Sequence, residues 1–253
     1  MKEIPLKFKK DLGYVVKYSY FTLNTVMVLN ALWGTGAVFN FLKIDEKKKN
    51  KVYKKILDQF GKGGLIKVST KITIEDKDIL KDDYSNVLFL SNHRSMTDVL
   101  TIFATAPRSV RFVAKTSLFK IPYFGQTMRY VGIFEIDRKN KKTAIETLDI
   151  ASKRLQNGLD SVVMFPEGSR SRTKEVMPFK KGAFHLAIKS GVPIIPVSIS
   201  NSEEILPYGS WRMKDGEISI HYGKAIETKD LKVNDIPQLM ETVREKILKN
   251  LNN

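Results

Sequence analysis

A chain of 253 residues with 43 basic and 27 acidic side chains, a net charge of +16 and no cysteine has room for one large α/β domain or two small ones around an ample core. Without cysteine it has no disulfide, thiolate metal site or thiol nucleophile, so any acyl or phosphoryl chemistry must proceed without a cysteine intermediate. The basic excess calls for an anionic partner: nucleic acid, a negatively charged membrane face or a phosphorylated substrate.

Residues 18–42 carry no charged side chain, a length that would reach across a bilayer. Asn24, Asn30, Asn40 and the Gly34-Thr35-Gly36 break interrupt the run, and lysines flank both ends, from Lys2 to Lys17 before it and from Lys43 to Lys55 after it. A single span carries its lysines asymmetrically, and this stretch does not. The pattern predicts a pair of helices hinged near Gly34 and Gly36 that lies in one leaflet, with aromatics at the interface and lysines on anionic headgroups. Each lysine held there adds on the order of 1 kcal/mol. A true span and an ordinary core-packed hairpin are the alternatives, while the polar interior speaks against a cleaved signal peptide. Residues 1–60 are thus expected to form a membrane-associating helical segment and residues 61–253 an α/β domain.

Further along, Gly61-Lys62-Gly63-Gly64 reads as a loop, since it lacks the phosphate-cradling Gly-x-x-x-x-Gly-Lys-Ser/Thr pattern. The alternation Ile66, Val68, Thr70, Ile72, Ile74 within Leu65 to Glu75 predicts a half-exposed strand near a sheet edge. The runs Val87 to Leu90, Val162 to Phe165 and Ile194 to Ile199 are short and apolar, as strands covered on both faces must be. Between them, Lys141 to Leu155 has helical spacing and stops at Asn157-Gly158. This β–α alternation predicts an α/β fold with a mainly parallel, helix-flanked sheet. In such sheets the site lies outside the carboxyl ends of the strands.

Polar chemistry does follow the strand-like runs. Asn92-His93 comes after Val87 to Leu90, Lys115 after Val110 to Ala114, and Asp137-Arg138 after Ile133 to Ile136. The segment Pro166-Glu167-Gly168-Ser169-Arg170-Ser171-Arg172 comes after Val162 to Phe165. His93 and Asp98 stand five residues apart, an offset that allows them to meet only across a bend, here between a strand and a helix that begins near Thr97. Proline and glycine around Glu167 predict a tight turn. Arg170 and Arg172 are expected to face one cleft, where arginine grips a phosphate at two oxygens. His185 and His221 lack metal-ligand spacing, so no metal site is expected.

Together, Asn92-His93-Arg94-Ser95-Met96-Thr97-Asp98, Val113-Ala114-Lys115 with Ile121-Pro122-Tyr123-Phe124-Gly125, Gly132 to Arg138, Phe165-Pro166-Glu167-Gly168-Ser169-Arg170-Ser171 and Val192 to Val197 resemble the glycerophospholipid acyltransferases, most closely those that act on lysophosphatidic acid. The blocks stand in the family's order across Val87 to Ile199. The resemblance implies transfer of a fatty acyl group from an acyl-CoA or acyl carrier protein thioester to the 2-hydroxyl of 1-acyl-glycerol-3-phosphate, giving phosphatidic acid, with no other cofactor. It assigns His93 as general base and Asp98 as its orienting carboxylate. Arg138, Glu167, Gly168 and Arg170 match positions that bind the glycerol phosphate, with Lys115 beside them. Glu135 departs from the pattern, standing where an apolar residue is usual.

The implied chemistry is coherent. A hydroxyl attacks a thioester well only if its proton leaves as the new bond forms, and a placed histidine contributes about 10²–10⁴-fold. The acceptor itself is the nucleophile, and no Gly-x-Ser-x-Gly elbow argues for a covalent acyl-enzyme. Backbone amides after Asn92 are candidate oxyanion donors. Expected partners are anionic membrane lipids, lysophosphatidic acid and the thioester donor, at the cytoplasmic face of the membrane. Glycerol-3-phosphate or another lysolipid is the alternative acceptor. A non-catalytic membrane-surface scaffold and a nucleic-acid-binding protein are the rival classes, although no nucleic-acid recognition motif is present.

Overall fold

A computed structural model describes residues 6–66, 70–75, 86–210 and 212–251. Seven strands, β1 (Thr70–Glu75), β2 (Leu88–Ser91), β3 (Val110–Lys115), β4 (Phe134–Ile136), β5 (Ser161–Met164), β6 (Ile194–Ser200) and β7 (Gly216–Tyr222), form one sheet in the order β1-β7-β6-β2-β5-β3-β4. The five strands from β6 to β4 are mutually parallel. β7 joins β6 antiparallel, and β1 runs parallel to β7 at the edge. The carboxyl ends of β6, β2, β5, β3 and β4 therefore share one rim of the sheet.

Strand alternation divides the core between two faces. Phe89, Val163, Ile195, Val197 and Ile199 point to one side and pack with Leu32, Tyr53, Leu57 and Leu65. Leu88, Leu90, Val162 and Ile194 point to the other and pack with Leu155, Phe184, Leu186, Val243 and Ile247. The first face is covered by α1 (Leu6–Phe41), α2 (Glu46–Ile66) and α3 (Thr97–Thr105). The second is covered by α6 (Lys141–Gln156), α7 (Gly182–Ser190) and α9 (Ile236–Leu251). Short helices α4 (Thr116–Phe119) and α5 (Phe124–Tyr130) link β3 to β4, and α8 (Ser202–Ile205) follows β6.

The expected helix after β4 begins where Asn140 accepts the amides of Lys142 and Thr143 at 3.1 and 3.3 Å, a side-chain cap for two orphan donors. It stops at Gly158, whose φ of +67° is open to glycine at no steric cost. On the edge strand β4, Glu135 turns partly outward and pairs with Arg129 at 3.0 Å, which accommodates a charge where the resemblance implies an apolar residue.

Two expectations about the N-terminal region are corrected. The hinge falls at Leu42 to Asp45, where Lys43 takes a φ of +49° and Asp45 caps α2 through the Lys47 and Lys48 amides at 3.0 and 3.3 Å. α1 instead runs unbroken through Gly34 and Gly36. A glycine costs a helix about 1 kcal/mol relative to alanine, too little to break one held by packing. Gly36 has its own reason to be glycine: a Cβ there would lie 2.6 Å from the Tyr130 side chain of α5. Likewise Gly61-Lys62-Gly63-Gly64 is helical, not a loop, and lies within α2. A Cβ on Gly61 would stand 2.5 Å from the Leu100 carbonyl, so the glycine lets α2 and α3 touch backbone to backbone.

The expected boundary at residue 60 falls inside α2, and both N-terminal helices contribute to the main core. α1 buries Leu32 but leaves Leu23, Val26, Met27, Trp33, Val38 and Phe41 outward, Phe41 at 87% exposure. No helix among the described residues is long and apolar enough to cross a membrane. At the amino end of the sheet, fully buried Arg111 reaches Asp160 at 3.3 Å and the Asn50 side chain of α2 at 2.7 Å. Arg154 pairs with Asp160 and with Glu46 at 3.1 Å, so α2, β3, α6 and the start of β5 meet in one ionic cluster.

Candidate active site

Past β2 the chain wraps around a single carboxylate. Asp98, in the first turn of α3, is wholly buried. Its Oδ2 accepts the Arg94 amide at 2.8 Å and the Ser95 amide at 2.9 Å, and lies 2.7 Å from His93 Nδ1. This is the bend that the five-residue spacing requires. The helix N-terminus favours a negative charge at that position. Holding Nδ1 against the carboxylate sets the proton there and leaves Nε2 as the basic atom, with no protein partner among the described residues. The imidazole is 13% exposed and stacks on Phe165 at 3.9 Å between ring centroids and 14° between planes.

Three further ties fix this loop. The Asn92 side chain accepts the Ile199 amide at 2.8 Å and donates to the Ile199 carbonyl at 2.9 Å, fastening the end of β2 to β6. The Ser171 amide donates to the His93 carbonyl at 2.8 Å. Glu167, in the turn after β5, accepts the His93 amide on Oε1 at 2.7 Å and the Met177 amide on Oε2 at 2.9 Å. Burial pushes the Glu167 carboxyl above its ordinary range, against the opposing pull of those two amides.

Glu167 therefore departs from its expected place as a contact to glycerol phosphate. Both of its oxygens serve backbone amides and the residue is 3% exposed, so it positions the His93 loop. The expected oxyanion donors are corrected for the same reason, because the amides of His93, Arg94 and Ser95 are already bonded to Glu167 and Asp98.

The expected phosphate cations distribute along the rim. Lys115 closes β3 and Arg138 follows β4; both are exposed and neither makes an ion pair among the described residues. Strands stand about 4.8 Å apart, so these two positions lie roughly 10 and 14 Å along the rim from the His93 strand. Neither touches the His93–Asp98–Glu167 group. Gly168 turns the chain with a φ of +78° and is overlain by Lys180, whose Cε and Nζ would lie 2.9 Å from a Cβ there. Arg170 leans to the opposite side, where it and Arg172 lie over the Tyr208 ring at 4.8 and 5.0 Å.

Sequence reasoning passed over Phe165, Lys180 and Tyr208. Phe165 ends a strand-like run and opens the Phe165-Pro166-Glu167 block, and the sequence assigns its ring no role, although an aromatic two residues before Glu167 is a signal in itself. Lys180 and Tyr208 gave no local sign, because their partners are twelve or more residues away in the chain. His185 is exposed on α7, and His221 on β7 stands 3.7 Å from Glu75.

Residues 71–200 match the family model described as Acyltransferase. Among curated relatives, the 1-acyl-sn-glycerol-3-phosphate acyltransferase of Salmonella typhimurium is 40% identical over 121 residues, covering 48% of this chain and 49% of that one. The Haemophilus influenzae protein of the same name is 37% identical over 147 residues, covering 58% and 59%. That of Saccharomyces cerevisiae is 31% identical over 180 residues, covering 70% and 58%. These matches span about half or a little more of the relatives' own length. In three dimensions the chain is similar to the crystal structure of the 1-acyl-sn-glycerophosphate (LPA) acyltransferase, PlsC, from Thermotoga maritima, with a TM-score of 0.77, 25% identity, and coverage of 95% of this chain and 97% of that one.

Proposed function

The chain belongs to the acyltransferase family, and on that premise we propose that it moves a fatty acyl group from a thioester to the 2-hydroxyl of 1-acyl-glycerol-3-phosphate, forming phosphatidic acid. The observation that carries this reading is the His93–Asp98 pair with Nε2 unpartnered among the described residues, on the same strand rim as Lys115 and Arg138. Nε2 takes the hydroxyl proton as the oxygen bonds to the thioester carbonyl carbon. The C–S bond then breaks, and the imidazolium returns the proton to the leaving thiolate, so the products are ester and thiol. Asp98 stabilises the transient imidazolium and keeps the ring in the useful tautomer, as the aspartate of a serine hydrolase triad does. Phe165 fixes the ring plane.

Lys115 and Arg138 hold the acceptor phosphate in this reading, with Gly168 keeping the backbone close and Arg170 at the far side of the base. The outward apolar stripe of α1 supports association with one leaflet, which this reading puts on the cytoplasmic face. Trp33 stacks on Tyr123 at 5.9 Å, and Tyr123 donates to Asn30 at 2.6 Å, so the exposed Ile121-Pro122-Tyr123 corner extends that stripe. The donor is acyl-CoA or acyl carrier protein.

An acyl-transfer assay with lysophosphatidic acid, glycerol-3-phosphate and a neutral lysolipid as acceptors tests the reading. His93→Ala should lower kcat by about 10²–10⁴-fold, and Lys115→Ala or Arg138→Ala should chiefly raise KM for the phosphorylated acceptor. Transfer by His93→Ala at the wild-type rate would refute the mechanism. For the leaflet contact, Met27→Ser with Phe41→Ser should reduce sedimentation with anionic vesicles; unchanged sedimentation counts against it.

A further inference from the structure

Lys180 has no role in the scheme above, and its surroundings single it out. It follows Phe179, a buried residue whose ring centroid lies 6.2 Å from that of Phe184. Its amide donates to the Pro166 carbonyl at 2.8 Å, and the Met177 amide donates to Glu167 Oε2 at 2.9 Å. These two hydrogen bonds fasten residues 177–180 along the turn after β5. From that fixed root the side chain lies across Gly168, where a Cβ would stand 2.9 Å from both Cε and Nζ of Lys180 and 3.0 Å from Cδ. The glycine therefore meets two requirements: it takes a φ of +78° at no steric cost, and it leaves room for the lysine stem.

The ammonium laid down in this way is unpaired. Lys180 is exposed, and its Nζ makes no ion pair or hydrogen bond among the described residues. The carboxylate of the same turn, Glu167, has both oxygens on backbone amides.

Its place on the rim matches the reach of the acceptor. β5 lies between β2, which leads to His93, and β3, which leads to Lys115. Neighbouring strands are about 4.8 Å apart, so the Gly168 turn stands one spacing from the base, against two for Lys115 and three for Arg138. In 1-acyl-glycerol-3-phosphate four bonds separate the 2-hydroxyl oxygen from phosphorus, a reach of about 5 Å when extended. A hydroxyl placed on His93 Nε2 therefore brings its phosphate over the turn after β5. The long side chains of Lys115 and Arg138 come back to it from beyond, whereas Lys180 is rooted there.

We infer that Lys180 is the inner cation of the acceptor site: it holds the phosphate on the side of the base, while Lys115 and Arg138 close on it from the far side, and it makes the site selective for a phosphate-bearing over a neutral lysolipid. The inference rests on the acyl-transfer reading above. An ammonium acts on phosphate as a point charge with three donors, so it needs no fixed fork geometry.

Steady-state kinetics of wild type, Lys180→Met and Lys180→Arg are to be measured with 1-palmitoyl-glycerol-3-phosphate and with 1-palmitoylglycerol, using whichever of palmitoyl-CoA and palmitoyl carrier protein the wild type accepts. Lys180→Met keeps a stem over Gly168 and removes the charge. It should raise KM for the phosphorylated acceptor about tenfold, the low end for a hydrogen bond to a charged group, because the site is open to water. Donor KM, kcat and transfer to the neutral acceptor should stay within about twofold, and Lys180→Arg should recover part of the loss. Acetylation of surface amines in the wild type, read by mass spectrometry, needs no turnover. There 1-palmitoyl-glycerol-3-phosphate should slow modification of Lys180, and 1-palmitoylglycerol in the same micelles should not. An unchanged acceptor KM in Lys180→Met, an equal loss with both acceptors, or equal protection by both lipids overturns the assignment and leaves acyl transfer standing. A wild-type protein that transfers to no acceptor from either donor refutes the acyl-transfer reading, and the assignment with it.

Discussion

Replacing Glu167 with glutamine separates a substrate contact from a positioning role. The two carboxylate oxygens accept the His93 and Met177 amides at 2.7 and 2.9 Å in a site that is 3% exposed. A carboxamide offers one accepting oxygen, and its NH2 group would face the other backbone N–H. One buried donor is then left unsatisfied, at a cost of about 1–3 kcal/mol. For a domain of this size that corresponds to a fall in Tm of about 2–12 °C. If the lost bond is that of His93, the base shifts, and a displacement of about 1 Å is worth roughly 10²-fold in rate. Differential scanning calorimetry and acyl-transfer kinetics together read both effects. The signature of positioning is a loss in kcat with little change in acceptor KM. A variant with wild-type Tm and kcat, or one changed only in acceptor KM, would refute the argument. Burial holds the Glu167 carboxyl above its ordinary range, so the native state takes up this proton before the unfolded chain does. Through that window the native state binds more protons, and the stability contributed by Glu167 rises as pH falls. The Tm gap between wild type and Glu167→Gln should therefore be wider at about pH 5 than at about pH 7.5.

Asp98→Asn should leave the fold intact but cut kcat by orders of magnitude, because an amide can present the wrong hydrogen to Nδ1 and release the tautomer; a full rate in the variant would exclude a role for Asp98 in orienting the base. Arg111→Ala should destabilise the protein by about 3–5 kcal/mol in chemical denaturation, since it leaves Asp160 buried with one partner fewer, while kcat measured well below Tm stays near wild type. Gly168→Ala should cost about 1–3 kcal/mol, because a non-glycine residue at a φ of +78° is strained and its methyl meets Lys180. Adding Lys180→Ala should recover the steric part of that loss and leave the backbone part, as a thermal-shift comparison of the double and single variants would show.

The parallel strands β2, β5 and β6 could be read from the chain because each is a short, largely apolar run covered on both sides, and the shared rim could be read because polar residues follow the strand-like runs. The His93–Asp98 contact was legible for a local reason, since five residues and a strand–helix bend suffice to build it. Glu167 was misplaced because its partners are a histidine amide 74 residues earlier and Met177, and a sequence shows a carboxylate without showing which donors surround it. The helical state of Gly61 to Gly64 was hidden in the same way. Glycine reads locally as a breaker, whereas here its missing side chain is what the contact with Leu100 requires. β7 was not anticipated, because its alternation of Ile218, Ile220 and Tyr222 is short and its role depends on pairing with β6 from outside the parallel series. α9 had a readable stripe of Ile236, Leu239, Val243 and Ile247, which closes the second face of the sheet.

The placement of α1 and α2 limits how the protein can be handled. Leu32, Tyr53, Leu57 and Leu65 sit in the same core as strand residues Phe89 and Val163. Removing the first sixty residues would strip a wall from the sheet, so a failed truncated form would say nothing about the proposed leaflet contact or the proposed activity. A variant that tests the proposed leaflet contact while keeping the core has to change the outer stripe of α1, at Leu23, Met27, Val38 and Phe41, and leave the inward stripe as it is.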